Sequence, residues 1–280
     1  FLQNQIDTKI IIYDHNADNI EYPISVLNDS NARQYVDGSA FHLYGGDINN
    51  LSELKNTHPD KNLYFTEQWV GAPGDLYGDL RWHIRNLIIG ASRNWCKTII
   101  EWNLASDENQ KPHTEGGCSS CLGAITISEN SVQRNTAYYV IAHASKFVPP
   151  GSVRLYSSSS STLPNVSFLT PEKKIVTVVL NDSNSKINFN IILDGKDMHS
   201  SLNAGAVGTF ILDKLEGRSG DFVEQRFLYR IILAIFRRGE ICNLTLLGFD
   251  PVQPSAFDAD NKNVVKIYVR IAAFGHLNED

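Results

Sequence analysis

Apolar residues follow two different rhythms along this chain, and the change from one to the other divides it. Up to about residue 148, short runs of β-type residues alternate with longer stretches of helical periodicity. The strand-like runs are KIIIYDHN (9–16), GSAFHLY (38–44), NLYFTEQW (62–69) and KTIIEWNL (97–104). Between them, Leu76, Leu80, Ile84, Leu87, Ile88 and Ala91 recur at helical spacing. Strand then helix, repeated, predicts a parallel sheet. Residues 131–147 read as a final helix, stopped by Pro149-Pro150-Gly151.

After that point the period falls to two. SVRLYSS, NVSFL, KIVTVVLN, KINFNIILDG and GAVGTFIL, spaced by Ser, Asn, Asp, Gly and Pro between 152 and 212, predict an antiparallel β-sandwich. The serine run at 157–161 reads as a solvated loop. Residues 214–280 read as a polar turn, a helix from about 221 to 238 and a late strand, KNVVKIYVRIAAF, with no function assigned to them.

Composition narrows the function classes. With 280 residues, 42% of them hydrophobic, the chain can bury a sizeable core. A net charge of −6 without a block of Lys or Arg lacks the electrostatic footprint that nucleic acid requires. No run reaches the length of a membrane span, and FVEQRFLYRIILAIFRR from Phe222 carries charges within it. The chain opens on Phe without a leader-like segment, so its natural beginning is expected upstream. Of the four cysteines, Cys118 and Cys121 have the C-x-x-C spacing of half a zinc site. No second pair completes it, so the expectation is a disulfide or two free thiols, with no metal and no cofactor.

Each early strand changes character at its C-terminal end, to DHN, HLY, TEQW or EWN. A parallel barrel builds its active site from such ends. Alternation puts His42 and Tyr44 on one face of their strand and Phe41 and Leu43 on the other; Ile100 and Trp102 likewise share a face, with Glu101 opposite. The candidate mouth residues are therefore Asp14 or His15, His42, Tyr44, Glu67 and Trp102. Singly, each reads as readily as a packing or capping residue; their common position makes them a set. A carboxylate ringed by aromatic and hydrogen-bonding groups suits carbohydrate. Sugar rings stack on Trp, hydroxyls need polar partners, and acetal cleavage needs carboxylates at the anomeric carbon.

DGSAFHLYGG, NLYFTEQWVG, EWNLASD, GGCSSCLGAITI and YYVIAHASKFVPPGSVRLYS, in that order, resemble glycoside hydrolase family 30, particularly its bacterial glucanase and glucosylceramidase-like members, from about residue 6 to 212. The resemblance implies strands five to eight of a partial TIM (β/α)8 barrel over 1–148, a β-sandwich domain over 149–213 and an unassigned tail over 214–280. It implies a retaining mechanism with Glu67 as nucleophile, Tyr44 beside it, His42 as its neighbour, Trp102 closing the glycone subsite, and Asp14 at the end of strand five. The CSSC loop corresponds to one bordering that subsite.

The family's acid/base Glu follows strand four in an Asn-Glu motif, which here is expected upstream, on an N-terminal half that would be this chain's partner. Asn278-Glu279 lies in the tail and does not replace it. The implied substrate is a β-1,6-glucan or another β-glucoside, and the implied setting is secreted, periplasmic or at the cell surface. The alternative is a non-catalytic remnant that holds sugar weakly through Trp102 and Tyr44.

Overall fold

A computed structural model describes residues 4–158, 160–213 and 264–270, together with the backbone of four short strands between 230 and 248. The chain divides into two compact units, 1–141 and 142–280.

In the first unit β1 (Ile10–Ala17), α1 (Glu21–Asn28), α2 (Ser30–Arg33), β2 (Val36–Gly46), α3 (Leu51–Thr57), β3 (Asn62–Glu67), the two-residue β4 (Val70–Gly71), α4 (Leu76–His83) and β5 (Cys96–Ile99) follow in order. A π-helical stretch, Ile84–Ala91, continues α4. Strands β1, β2, β3 and β5 form, in that order, one all-parallel sheet. The helices cover one face of it. Ile24 and Leu27 of α1, Leu51 and Leu54 of α3, and Leu87 and Ala91 of the π-helical stretch share a core with Phe41, Leu63 and Phe65 of the strands. Asp75 starts α4 by accepting the Tyr77 amide at 3.1 Å, as an N-cap should. Gly38 lets β2 and β3 come together, because a Cβ there would stand 2.1 Å from the Asn62 carbonyl oxygen.

Two expectations need correction in this unit. The strand expected over 97–104 ends at Ile99, although the chain beyond it still follows β3 through Ile100 N–H to Phe65 O (3.0 Å) and Trp102 N–H to Gln68 O (2.8 Å). The helix expected over 131–147 is shorter. After β6 (Ala105–Ser106), β7 (Cys121–Leu122) and β8 (Ile125–Ser128), residues Ser131–Arg134 form β9, which pairs antiparallel with β8, and α5 begins only at Thr136 and runs to Ser145. Glu129-Asn130 makes the turn between them, so the segment that follows pairs back on β8 before any helix can start.

The second unit contains β10 (Val153–Ser157), β11 (Asn165–Leu169), β12 (Lys174–Leu180), β13 (Ile187–Leu193), β14 (Lys196–Leu202), β15 (Val207–Asp213), β16 (Arg230–Ala234), β17 (Phe236–Arg237), β18 (Glu240–Ile241), β19 (Leu246–Gly248) and β20 (Val265–Arg270). Nine of them pair in the order β14-β13-β20-β10-β11-β12-β15-β16-β19. Strands far apart in that order meet face to face: the rings of Phe189 on β13 and Phe210 on β15 are 5.6 Å apart, edge to face, in a core with Ile175, Val179, Ile191 and Ile267. The helix expected over about 221–238 is contradicted where it can be followed. Residues 230–234 pair antiparallel with β15, and 236–237 with β18; residues 221–229 lie outside the described residues. The apolar run there fits either period, and the free edge of β15 selects the strand.

The late strand is present as β20, in the interior of the sheet, third of the nine paired strands. It runs parallel to β13 and antiparallel to β10, and among the described residues it alone joins the β13–β14 hairpin to the rest.

One buried titratable group makes this unit sensitive to acid. His143 Nδ1 lies 2.9 Å from Thr209 Oγ1, and burial pushes the imidazole down to about 4. Its folded value lies below the ordinary 6.5 or so, so the unfolded chain takes the proton first, and stability falls as pH drops through 6.5 towards 4. Urea unfolding at pH 7.5 and pH 5 is expected to show about 2 kcal/mol lost in the parent and little of that loss in His143→Gln.

Candidate functional site

Two inserted residues, one in each strand flanking β2, set the geometry at the C-terminal end of the parallel sheet. Along β2 and β3, Phe41 pairs with Phe65, but the next residue, His42, pairs with Glu67. Thr66 is the extra residue. Strict alternation would point Glu67 the same way as Phe65, under the helices; the insertion resets the alternation and turns Glu67 towards Tyr44. On the other side, Tyr13 of β1 pairs with Ala40 and His15 with Phe41, which leaves Asp14 extra, with φ of 79° at Tyr13 and 55° at Asp14. The two inserted residues then meet across β2. Thr66 Oγ1 donates to Asp14 Oδ1 at 2.7 Å, and His42 Nε2 lies 3.2 Å from the same oxygen.

Tyr44 Oη donates to Glu67 Oε1 at 3.1 Å, while the Tyr44 amide donates to Asn16 Oδ1 at 3.1 Å. The rings of His42 and Tyr44 stand edge to face, 5.9 Å apart. The Tyr44 phenol is held well above the ordinary tyrosine range, first by burial and then by the charge of Glu67 and the bond donated to it.

Beside this pair opens a cavity of about 400 Å³ lined by Tyr44, Glu67, Trp69, Trp102, Cys118 and Cys121. The backbones of Trp69 and Trp102 bridge in parallel. Gly71 makes room for the Trp69 ring, since a Cβ there would lie 3.2 Å from it. Cys118 and Cys121 form a disulfide, so neither thiol is available to a metal. The loop that carries them is tied to the segment just after Glu67: β7 pairs with β4, and the Ala72 amide donates to Ser120 O at 2.8 Å. Among the described residues no group of three or more His, Cys, Asp and Glu is placed to hold a metal ion.

Of the residues singled out from the sequence, Tyr44, Glu67 and Trp102 share the cavity wall. His42 and Asp14 stand beside it, joined to each other, with His15 at 6.5 Å from the His42 ring. Glu101 turns the opposite way from Trp102, to His83 Nδ1 at 3.1 Å, with both side chains almost wholly buried. Sequence reasoning did not assign Trp69, Thr66 or Asn16 to the site. Trp69 stood in the quoted TEQW run; the other two depend on pairing shifts that a sequence does not display.

A larger recess, about 750 Å³, lies at the N-terminal ends of the same strands. Its Asp37 is already engaged by Lys9 (2.7 Å), by Asn62 (2.9 Å) and by the hydroxyl of Tyr64, bonds that hold its carboxyl well below the usual range. Asp60, in the same wall, is paired with Arg33.

The chain matches the glycosyl hydrolase family 30 TIM-barrel domain over residues 3–148 and the family's β-sandwich domain over residues 151–210. The endo-1,6-β-D-glucanase neg1 of Aspergillus fumigatus is 33% identical over 218 residues, which are 74% of this chain and 43% of that protein. Putative glucosylceramidase 2 of Caenorhabditis elegans is 31% identical over 185 residues, 62% of this chain and 36% of that one. Among solved structures, the endo-β1,6-glucanase BT3312 superposes with a TM-score of 0.70 at 30% identity, covering 76% of this chain and 50% of that chain. The chain spans less than half the length of the curated relatives it matches.

Because its neutral form is the favoured one, the Tyr44 phenol should stay protonated, donating to Glu67, beyond the ordinary tyrosine value of about 10. Ultraviolet pH titration of the parent against Tyr44→Phe is expected to isolate one phenol that ionises later than the exposed tyrosines, and Glu67→Gln should bring that phenol down.

Proposed function

This chain belongs to glycosyl hydrolase family 30, and from that premise we propose that it carries the nucleophilic half of a retaining O-glycosyl hydrolase acting on β-linked glucans, with β-1,6-glucan as the favoured substrate. The observation that carries the reading is the Tyr44–Glu67 hydrogen bond at the wall of a cavity shared with Trp69 and Trp102.

In this reading the four parallel strands are the fifth to eighth of a (β/α)8 barrel. Glu67 attacks the anomeric carbon, the C–O bond to the leaving group breaks, and a covalent glycosyl-enzyme forms that water later hydrolyses. Tyr44 orients the attacking carboxylate, Trp102 and Trp69 offer faces on which a sugar ring can stack, and Asp14 and His42 present polar groups at the rim. The names of the relatives favour a glucan over a glycolipid, since the glucanase named above is covered over the larger share of this chain. The Cys118–Cys121 disulfide supports an extracellular, periplasmic or cell-surface setting.

A retaining hydrolase needs a second carboxyl group about 5 to 5.5 Å from the first, to protonate the leaving oxygen. Glu67 is the one carboxylate in the described cavity wall, and Glu101 is turned away from it. The acid/base is therefore assigned to the part of the family's fold that the relatives possess beyond the span of this chain.

Assays on β-1,6-glucan and on an aryl β-glucoside test the proposal. The 280-residue chain alone is expected to leave the glucan intact and to act at most feebly on the aryl substrate, whose leaving group needs no proton. Supplying an N-terminal half with the acid/base should bring glucan hydrolysis, and Glu67→Gln should then remove it by on the order of 10³-fold or more. Robust glucan turnover by the chain alone, lost in Glu67→Gln, would show that another carboxyl here serves as the acid. No turnover with the half restored would leave the chain as a sugar-binding remnant.

A further inference from the structure

We infer that His83 and Glu101 are positioning residues for Trp102, a pair that sets the angle at which the indole faces the cavity; this rests on reading that cavity as a glycan site.

Trp102 needs such a device. The residue is 48% exposed, so core packing does little to hold it, and it lies past the end of β5, where regular pairing has stopped. The amides of Ile100 and Trp102 bond to Phe65 O and Gln68 O, which keeps the chain on the track of β3. Amide bonds of this kind restrict but do not abolish the roll of the segment about its own axis. Glu101 lies between them and points the opposite way, so whatever holds its side chain also fixes that roll, and with it the direction of Trp102.

What holds it is His83. The carboxylate is 3% exposed and the imidazole 5%, and Glu101 Oε1 lies 3.1 Å from Nδ1. With Glu101 assigned as the acceptor of this bond, the Nδ1–H of His83 is the donor. Glu101 Oε2 is buried without a hydrogen-bond partner among the described residues, which leaves His83 as the donor on which Glu101 depends.

For stability alone this is a poor choice, because an apolar side chain would fill the helix-facing slot without desolvating a carboxylate. A buried hydrogen bond between two groups has one geometry, however, and an apolar contact tolerates sliding. His83 ends α4, the first helix after Glu67, and its ring is braced edge-on by Trp82 at 5.1 Å. The element that leads away from Glu67 thus returns to fix Trp102, and the carboxylate and the stacking surface share one support. Catalysis by a nucleophile requires such mutual placement of sugar and attacking oxygen.

The test uses the 280-residue chain labelled with fluorotryptophan and read by fluorine NMR, the Trp102 line being assigned with Trp102→Phe, and gentiobiose as the glycan probe. The parent and Glu101→Gln, whose amide oxygen still accepts from Nδ1–H, are expected to give one narrow Trp102 line. His83→Leu and Glu101→Leu are expected to broaden or double it while leaving the circular dichroism unchanged. Gentiobiose affinity should fall about tenfold or more in His83→Leu and stay within about twofold in Glu101→Gln.

An unchanged Trp102 line in His83→Leu overturns the inference, and if that variant does not fold, an unchanged line in Glu101→Leu does so. If gentiobiose moves no tryptophan line in the parent, the glycan reading of the cavity fails, while the line shapes still decide whether His83 and Glu101 orient Trp102.

Discussion

The parallel pairing of β2 with strands on both sides, pressed against a filled helical layer, is the constraint from which the site follows. Phe41, Leu63 and Phe65 already occupy the space beneath α1, α3 and the π-helical stretch, together with Leu27, Leu51 and Leu87. A packed interior of this kind has no room for another side chain. When β1 and β3 each gain a residue relative to β2, the surplus can go only to the opposite face, and that is where Asp14, Thr66 and the realigned Glu67 are found. The apolar layer thus determines where the polar groups must appear, although it touches none of them.

Around this frame the remaining parts act as supports. Asn16 holds the backbone of Tyr44, Tyr44 holds the carboxylate of Glu67, and Asp14 gathers Thr66 and His42. Past the end of β3, the β4–β7 pairing and the disulfide fasten the CSSC loop to the same stretch of chain. Each site group is oriented by a neighbour that comes from a different strand or loop, which is how a sheet made of short strands can hold a carboxylate against an aromatic wall.

Much of this was legible beforehand because the strongest sequence signals are also the strongest physical ones. The four parallel strands, the helical spacing of Leu80, Ile84, Leu87 and Ile88, and the opposed faces of Phe41 and His42 all follow from burial, which periodicity reports directly. Glu67 shows the limit. Its face depends on an extra residue in the pairing, and counting by twos from Phe65 would have sent it to the wrong side. Ser131–Arg134 and Arg230–Ala234 misled for a related reason: short segments adjoining or inside a helical pattern became strands because a partner edge was available. Pairing between distant segments outweighs local propensity, and a single sequence does not list the pairs.

The place of β20 has a consequence for how the second unit comes into being. Residues 187–202 make a hairpin by local contacts, which form early and cheaply, but that hairpin joins its sheet through a strand at 265–270, more than sixty residues later in the chain. During synthesis the hairpin must therefore wait with one edge open, while β10, β11, β12 and β15 can already pair among themselves. Closing the sheet costs the entropy of a long loop before any contact repays it, so assembly of this unit should be slow and governed from its C-terminal side. In the cell, the interval before residue 270 emerges is the period in which an unpaired edge is most exposed to other chains.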